Sequence, residues 1–246
     1  MTLLSVNLNA VAQLRNRRDL PWPSVTGIAR VVLDAGASGI TIHPRPDERH
    51  IRRTDVYDLS TLLRQDYPEA EFNIEGYPSD DFLELIEDVN PHQVTLVPDD
   101  PAQATSDHGW DFVGKNNFLT SVVQQMRRPD CRISLFCDPD AGREGVAAAK
   151  ATGADRIELF TGPYGACYAD PEQALVELEA LAITCQAALD AGLGVNAGHD
   201  LTLANLPAFQ LAVVGVAEAS IGHGITADAL LMGFDAATRR YIEVLA

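Results

Sequence analysis

The stretch Gly39-Ile40-Thr41-Ile42-His43 alternates apolar and polar side chains and ends on a histidine. The stretch Glu71-Phe72-Asn73-Ile74-Glu75 follows the same pattern and ends on a glutamate. A strand flanked by helical segments lies in a parallel sheet, where both of its faces are buried. Polar side chains there are costly unless they are hydrogen-bonded or reach water. The repeated pattern therefore predicts a ring of polar groups that point to one place.

Eight strand-like runs of this kind occur along the chain, and helix-period segments separate them. The runs are Leu3–Asn9, Gly39–His43, Glu71–Glu75, Gln93–Val97, Cys131–Phe136, Arg156–Phe160, Gly194–Asn196 and Ala217–Ile221. Eight strand–helix units within 246 residues are typical of an α/β protein with a TIM (β/α)₈ barrel. We expect a single domain over residues 1–246. The alternative is a doubly wound sheet, but no G-x-G-x-x-G or P-loop follows an early strand.

The sequence indicates where two of the helices begin. Asp80 and Asp81 suit the first turn of a helix over Ser79–Val89, whose apolar residues share one face. Thr226 is a candidate N-cap for the last helix. Its expected apolar stripe is Leu230, Phe234, Ala237, Tyr241 and Leu245.

The composition of the chain limits the class of protein to which it can belong. The chain is 46% hydrophobic, and it contains neither an apolar run long enough for a membrane span nor a basic start followed by an apolar core typical of a signal peptide. The four cysteines form no C-x-x-C pair, so we expect reduced thiols in a cytoplasmic protein without a membrane partner.

The charge distribution is informative. The net charge of −17 argues against nucleic-acid binding. Arginines are nevertheless concentrated before position 54, where they either bind a small anion or form a solvated basic surface. They are Arg15, Arg17, Arg18, Arg30, Arg45, Arg49, Arg52 and Arg53.

The barrel interpretation gives the polar strand ends a chemistry. Residues such as Ile40 and Ile42 must face the helices, so Thr41 and His43 face the barrel mouth, where active sites lie. His43 is a candidate general base, and Arg45 either grips a phosphate or forms a rim salt bridge. Glu75 and Glu158 are candidate acid–base carboxylates, although two histidines with two carboxylates could also hold a metal.

The last two strands are followed by glycine and histidine. Gly198-His199 and Gly222-His223-Gly224 occur where this fold usually binds phosphate, with glycine amides and a helix N-terminus. Tight turns alone would also explain these glycines. The sequence does not indicate Schiff-base chemistry, because neither of its two lysines, Lys115 and Lys150, ends a strand.

The chain resembles the pyridoxine 5′-phosphate synthase family from end to end. The resemblance rests on several motifs: Leu14-Arg15-Asn16-x-Arg18, Gly39-Ile40-Thr41-Ile42-His43-x-Arg45, Arg49-His50-Ile51, Asn73-Ile74-Glu75, Leu96-Val97-Pro98, Ser134-Leu135-Phe136, Ile157-Glu158-Leu159-x-Thr161-Gly162, Val195-Asn196-Ala197-Gly198-His199-x-Leu201-Thr202 and Ile221-Gly222-His223.

The resemblance implies a TIM barrel that assembles into a homo-octamer. It implies the condensation of 1-deoxy-D-xylulose 5-phosphate with 3-amino-2-oxopropyl phosphate, which closes the pyridine ring and releases phosphate and water. It implies no metal and no organic cofactor.

The resemblance also implies roles for individual residues. His43 and Glu75 would be the bases, His199 the proton donor, and Glu158 a further active-site carboxylate. The aminoketone phosphate would be held by Asn7, Arg18, Gly222 and His223. The deoxyxylulose phosphate would be held by Arg45, His50 and Thr105. The sequence therefore predicts one phosphate pocket with Arg18 and His223 and another with Arg45 and His50.

Two positions depart from the family pattern. Asn9-Ala10 stands where the family commonly has Asp-His, which alters a contact to deoxyxylulose phosphate. Asp200 stands where the family has glycine, which puts a carboxylate beside a phosphate site. Both changes are expected to affect substrate binding rather than the acid–base groups.

Two other functions are compatible with the residues alone. A metal-dependent barrel hydrolase or isomerase would use His43, Glu75, Glu158 and His199 on a small phosphorylated substrate, and a non-catalytic acidic barrel would use none of them. The long connection 98–116 and the segment 161–170 are candidate lids over the mouth.

Overall fold

Eight parallel strands close into a barrel in which each strand pairs with its neighbours in chain order. The computed structural model describes residues 1–99 and 106–246. The strands are β1 (Leu3–Asn7), β2 (Gly39–Ile42), β3 (Glu71–Gly76), β4 (Gln93–Leu96), β5 (Arg132–Cys137), β6 (Arg156–Phe160), β7 (Gly194–Gly198) and β8 (Glu218–Ile221). Pairing of β8 with β1 closes the ring, which confirms the predicted TIM barrel.

Helices surround the barrel. Within the described residues they are α1 (Asn9–Arg15), α2 (Val25–Asp34), α3 (Arg53–Asp66), α4 (Asp80–Val89), α5 (Asn116–Met126), α6 (Gly142–Ala151), α7 (Gly162–Cys167), α8 (Pro171–Asp190), α9 (Leu206–Ala212), α10 (His223–Met232) and α11 (Phe234–Leu245). The connections after β1, β6 and β8 each contain two helices. Strand β1 is shorter than predicted, because α1 begins at Asn9.

The alternation in each strand separates a dry face from a polar face. Ile40, Ile42 and Ile74 are fully buried in the apolar layer between the sheet and the helices. The intervening side chains hydrogen-bond inside the barrel, where Asn73 Nδ2 donates to Thr41 Oγ1 at 3.3 Å. Thr41 Oγ1 also lies 2.7 Å from Ser5 Oγ. The barrel centre is therefore polar, and the hydrophobic core forms a ring around it.

The N-terminus of α4 is capped as its sequence predicts. Ser79 Oγ accepts a hydrogen bond from Phe82 N at 3.3 Å, and Asp80 and Asp81 occupy the first turn. Their negative charge interacts favourably with the helix dipole. This helix begins beside the barrel mouth, because β3 ends at Gly76.

The prediction of one last helix capped by Thr226 is wrong. Thr226 lies inside α10, and Gly233 separates α10 from α11 with φ 85° and ψ 152°. A side chain is strained in that conformation, so glycine permits the break. Leu230 is 74% exposed on α10, whereas Ala237, Tyr241 and Leu245 of α11 are buried. The apolar stripe therefore belongs to α11 alone.

All four cysteines are free thiols, and three of them (Cys131, Cys137 and Cys185) are buried. Burial raises the pKa of Cys131 and Cys185 to about 11, so these thiols stay protonated near neutral pH. No helix in the described part of the chain is both long and apolar enough to cross a membrane.

Candidate active site

A cavity of about 350 Å³ opens at the carboxyl ends of the strands. It brings together twelve of the fourteen predicted site residues: Asn7, Asn9, Ala10, His43, Arg45, His50, Glu75, Glu158, His199, Asp200, Gly222 and His223. Gln13, Ser106 and Ser220 also line it. Parallel strands deliver these side chains to one end of the barrel, so residues far apart in sequence meet there.

The ends of β2 and β3 place an imidazole beside a carboxylate. His43 Nδ1 lies 3.9 Å from Glu75 Oε2, and both side chains are buried. Asn7 Nδ2 donates to the same Glu75 oxygen at 3.4 Å. Asn9 Oδ1 accepts from the backbone N of His43 at 2.9 Å. The start of α1 thus fixes the backbone of His43, and β1 orients Glu75.

The end of β4 adds a carboxylate that the sequence did not single out. Asp99 Oδ2 lies 3.9 Å from His43 Nε2, on the opposite side of the ring from Glu75. The same oxygen forms a buried ion pair with Arg45 and accepts from Ser106 Oγ at 2.8 Å. His43 therefore lies between two carboxylates, one of which is tied to an arginine.

Burial sets the proton affinities of His43 and Glu75. Desolvation holds the pKa of His43 well below its usual value, and the positive charge of Arg45 lowers it further. Desolvation raises the pKa of Glu75 well above its usual value, and repulsion by Glu158 and Asp99 adds to this. The site therefore places an imidazole whose lowered pKa favours the neutral form beside a carboxyl whose raised pKa favours proton binding.

Glu158 of β6 projects into the same cavity. Its side chain is buried, and Thr95 Oγ1 donates to its Oε2 at 3.2 Å. Burial raises the pKa of Glu158 to about 7, while the hydrogen bond from Thr95 opposes this shift. A Cβ on Gly198 would lie 2.4 Å from Glu158 Oε1, so glycine is needed where β7 passes this carboxylate.

His199 follows β7 in a left-handed turn. The φ angles are 80° at His199 and 55° at Asp200. Thr161 supports the turn by donating from its hydroxyl to the carbonyl oxygens of Gly198 and His199 at 2.6 and 2.5 Å. Asn205 Nδ2 donates to Asp200 O at 2.9 Å. These contacts present the His199 ring to the cavity despite the backbone strain.

Opposing effects act on the proton affinity of His199. Burial, the largest of them, lowers the pKa of its imidazole, as does the charge of Arg45. The carboxylates of Asp200 and Asp99 raise it. An anionic substrate in the cavity would add to the raising effect, because negative charge stabilises an imidazolium.

The end of β8 offers an anion site. The ten-residue helix α10 begins at His223, and Gly222 precedes it. A Cβ on Gly222 would lie 3.0 Å from the Cβ of Asn7, so glycine allows β8 and β1 to approach closely. The free backbone N–H groups of a helix start and its dipole favour a phosphate.

The loop after β2 contributes His50. This residue is buried at the cavity wall, with its ring centroid 6.1 Å from that of His43. Burial and the charges of Arg45 and Arg49 lower the pKa of His50 to about 4. His50 is therefore neutral at physiological pH.

Two predicted residues are not in this group. Arg18 is exposed just beyond α1 and does not line the cavity, so within this chain it is not placed with His223. Thr105 lies outside the described residues, as does part of the candidate lid 98–116. The other candidate lid, 161–170, contains the short helix α7.

A second cavity, of about 640 Å³, adjoins the first and shares His43 and Arg45 with it. It extends between the loops after β2, β3 and β4. Phe82 and Leu85 of α4 line its apolar part. The wall that separates the two cavities thus carries the predicted base and the predicted phosphate ligand.

The sequence carried a signal for one site residue that was missed, because Ser220 alternates with Ala219 and Ile221 on β8. Asp99 lies three residues beyond the end of β4, where the strand alternation no longer applies. Gln13 is on α1 and Ser106 is in an irregular connection, where strand alternation gives no indication. Among the described residues, no three His, Cys, Asp or Glu side chains are grouped to hold a metal ion.

The fold and the site together define a class: a TIM-barrel enzyme equipped for acid–base chemistry on a small molecule. Residues 4–246 match the family described as pyridoxal phosphate biosynthesis protein PdxJ. The chain belongs to this family.

Curated relatives support the same conclusion. The chain is 60% identical over 240 residues to the pyridoxine 5′-phosphate synthase of Chelativorans sp. (strain BNC1), covering 98% of this chain and 97% of the relative. It is 59% identical over 243 residues to the enzyme of the same name from Brucella melitensis biotype 1, covering 99% and 98%.

Solved structures of lower identity show the fold alone. The thiamine phosphate pyrophosphorylase from Pyrococcus furiosus has a TM-score of 0.60 at 16% identity, covering 99% of this chain and 94% of that one. Phosphoribosyl anthranilate isomerase from Thermotoga maritima has a TM-score of 0.59 at 11% identity, covering 99% and 98%.

Proposed function

We propose that this protein is a pyridoxine 5′-phosphate synthase whose acid–base groups are His43, Glu75 and His199. It condenses 1-deoxy-D-xylulose 5-phosphate with 3-amino-2-oxopropyl phosphate and releases phosphate and water. The observation that carries the proposal is the convergence of these three side chains on one cavity, which Arg45 and His223 also line. Family membership supports the substrates.

The proton affinities fit a multistep condensation. The amine of one substrate adds to the ketone of the other, and loss of water gives an imine. Proton removal and return then drive loss of phosphate, ring closure and loss of a second water. These steps require groups of different pKa around one pocket. His43 is neutral and accepts a proton. Glu75 is the second base, and its raised pKa makes its carboxylate a stronger proton acceptor than an exposed glutamate.

His199 and Glu158 complete the sequence of proton transfers. His199 donates a proton to a leaving oxygen, and bound phosphate favours its protonated form. Glu158, with a pKa of about 7, exchanges protons near neutral pH and lies behind Gly198. Its hydrogen bond from Thr95 fixes the carboxyl orientation.

The two substrate phosphates occupy different sides of the mouth. The start of α10, with Gly222, His223 and Asn7, holds the aminoketone phosphate. Arg45 and His50 hold the deoxyxylulose phosphate, with Thr105 as a further ligand. Arg18 belongs to the aminoketone site in this proposal, but its exposed position requires movement of its segment or a contribution from another copy.

The two departures from the family pattern have different surroundings. Asn9 already binds the backbone N of His43 through Oδ1, and its neighbour Ala10 lines the cavity without a polar group. Contacts to deoxyxylulose phosphate here therefore shift to other residues. Asp200 places its carboxylate at the cavity beside His199, where it opposes the lowering of the pKa of that imidazole by burial.

The proposal includes assembly into an octamer in the cytoplasm. Exposed apolar side chains support self-association, since solvent-exposed patches of this kind commonly mark interfaces. They include Leu175, Val176, Leu211, Val214, Leu230 and Leu231. Free thiols suit a reducing compartment. Light scattering of purified protein measures the oligomer directly, and a monomer at micromolar concentration would contradict this part.

A direct assay tests the function. Purified protein is mixed with both substrates, and pyridoxine 5′-phosphate is followed by absorbance and mass spectrometry. We expect one inorganic phosphate per pyridoxine 5′-phosphate, and neither product when either substrate is omitted. Folded protein that forms no pyridoxine 5′-phosphate would refute the proposal. Activity that disappears with a chelator and returns with a divalent metal would favour the metal-dependent alternative.

A further inference from the structure

A buried ion pair joins the end of α1 to the start of α3. Arg15 Nη1 and Nη2 donate to the two carboxylate oxygens of Asp55 at 2.5 and 2.9 Å. Both side chains are about nine-tenths buried, with relative exposures of 8% and 10%. Asp55 Oδ2 also accepts from Arg52 N at 2.8 Å and so caps α3. Such a two-pronged pair fixes orientation as well as distance.

Asn16 extends this pair to the loop between β2 and α3. Its Nδ2 lies within hydrogen-bonding distance of three successive carbonyl oxygens, those of Glu48, Arg49 and His50, at 3.3, 3.2 and 2.7 Å. Its Oδ1 accepts from Arg15 Nε and Nη2 at 3.1 and 3.0 Å. Arg15 Nη2 also donates to His50 O at 3.2 Å. The His50 carbonyl is therefore held from two side chains.

The held loop determines which ring nitrogen of His50 carries the proton. His50 Nδ1 accepts a hydrogen bond from the backbone N of Ile51 at 2.9 Å. A nitrogen that accepts cannot bear hydrogen, so the proton of the neutral ring is on Nε2. The ring lines the cavity. His50 thus offers a neutral N–H donor there.

We propose that Arg15, Asn16 and Asp55 form a positioning network that presents the Nε2–H of His50 to the substrate in the cavity. The inference rests on the proposed function, because it takes the ligand of His50 to be the phosphorylated ketose. Arg15 and Asn16 are positioning residues and touch no substrate.

Helix α1 connects this network to a second histidine of the site, so the network does more than stabilise the fold. The same seven-residue helix starts with Asn9, whose side chain holds the backbone of His43, and ends with Arg15, which holds the loop of His50. One short rigid element therefore sets the spacing of two histidines whose rings lie 6.1 Å apart. Loss of the contacts at the Arg15 end of α1 would therefore shift His50, while Asn9 at the other end of the helix would keep His43 in place.

The test is a double-substitution cycle on Asn16 and His50. Steady-state kinetics are measured for the wild type, Asn16→Ala, His50→Ala and the double variant, with exposed Asn117→Ala as the matched control. We expect Asn16→Ala to raise KM for the ketose phosphate by about fivefold or more. We expect KM for the aminoketone phosphate and kcat to change by less than about twofold. In the His50→Ala background, Asn16→Ala should add little, because its effect passes through His50.

Asn16→Ser keeps one hydroxyl donor, so its KM should lie between those of the wild type and Asn16→Ala. Asn16→Ser also replaces the alanine variant as the test if Asn16→Ala does not fold. A folded serine variant with an unchanged KM overturns the proposal. Equal effects of Asn16→Ala in both backgrounds overturn it as well. A wild type that forms no pyridoxine 5′-phosphate refutes the proposed function and this inference together, whereas normal wild-type turnover with an unaffected Asn16→Ala variant refutes this inference alone.

Discussion

The guanidinium of Arg45 and the carboxylate of Asp99 form an ion pair that is almost completely buried, with side-chain exposures of 4% and 5%. The same carboxylate oxygen faces His43 Nε2. A substrate phosphate that binds Arg45 must therefore share the guanidinium with Asp99, beside the predicted base.

Breaking this pair from one side should cost more stability than removing it. Arg45→Met leaves the Asp99 carboxylate buried without its cation, and we expect a loss of about 3 kcal/mol in the free energy of unfolding. Arg45→Met/Asp99→Asn should recover most of that loss. Both variants should have a raised KM for deoxyxylulose phosphate, because both lack the phosphate ligand. Urea denaturation and steady-state kinetics check this, and equal stability of the single and double variants would contradict it.

Removal of the acid–base groups should reduce turnover rather than folding. We expect Glu75→Gln and His199→Asn each to lower kcat by about 10²-fold or more, the usual effect of losing a positioned proton-transfer group. Glu179→Gln on exposed α8 and His92→Asn at the opposite end of the barrel are controls with wild-type kcat. Thermal melts within a few degrees of the wild type are needed for this interpretation. Full activity in either site variant would remove that residue from the mechanism.

Glu158 should make stability depend on pH. Its pKa is raised to about 7, so the folded state retains a proton that the unfolded state releases near pH 4.5. The stabilising protonation is present below pH 4.5 and is lost as the pH rises through 7. Glutamine does not titrate, so Glu158→Gln does not lose stability in this way. We therefore expect the free energy of unfolding of the variant, minus that of the wild type, to be about 3 kcal/mol higher at pH 8.5 than at pH 4.5.

Urea denaturation at several pH values measures the difference for Glu158→Gln, with exposed Glu179→Gln as the matched control. The stability difference between Glu158→Gln and the wild type should grow steadily from acid to alkaline pH. A difference that does not vary with pH would show that Glu158 does not retain its proton in the folded protein.

The left-handed turn after β7 should store strain. Asp200→Gly removes a side chain from a residue with φ 55°, and we expect a gain of about 1 kcal/mol in the free energy of unfolding. Gly165→Ala should have the opposite effect, because its Cβ would lie 2.4 Å from Asp200 Cβ. In the Asp200→Gly background the penalty of Gly165→Ala should shrink but not vanish, since Asp200 O would still be 2.8 Å away. If Gly165→Ala lowers the free energy of unfolding equally in both backgrounds, its Cβ does not clash with the Asp200 side chain.

The sequence predicted those site residues whose side-chain direction is set by the alternation along a strand. His43, Glu75 and Glu158 each share a strand face with buried polar neighbours, so their direction follows from the two-residue period. Arg15 and Asp55 are 40 residues apart on two helices, and no local pattern indicates that they pair. Arg18 was predicted from resemblance alone, and its exposure depends on how the chain leaves α1. The break at Gly233 was missed because apolar spacing continued across it.

The polar interior of the barrel has a consequence for how the protein can change. Each strand uses one set of alternate residues for cohesion and the other set for chemistry, as Ile74 and Glu75 illustrate. The two sets share a backbone but few neighbours. Substitutions that repack the outer layer can therefore adjust heat tolerance without touching the reaction, while substitutions in the inner set act on the reaction and, where a buried charge loses its partner, on stability as well. Such a division allows an enzyme lineage to exchange its catalytic repertoire while keeping its scaffold.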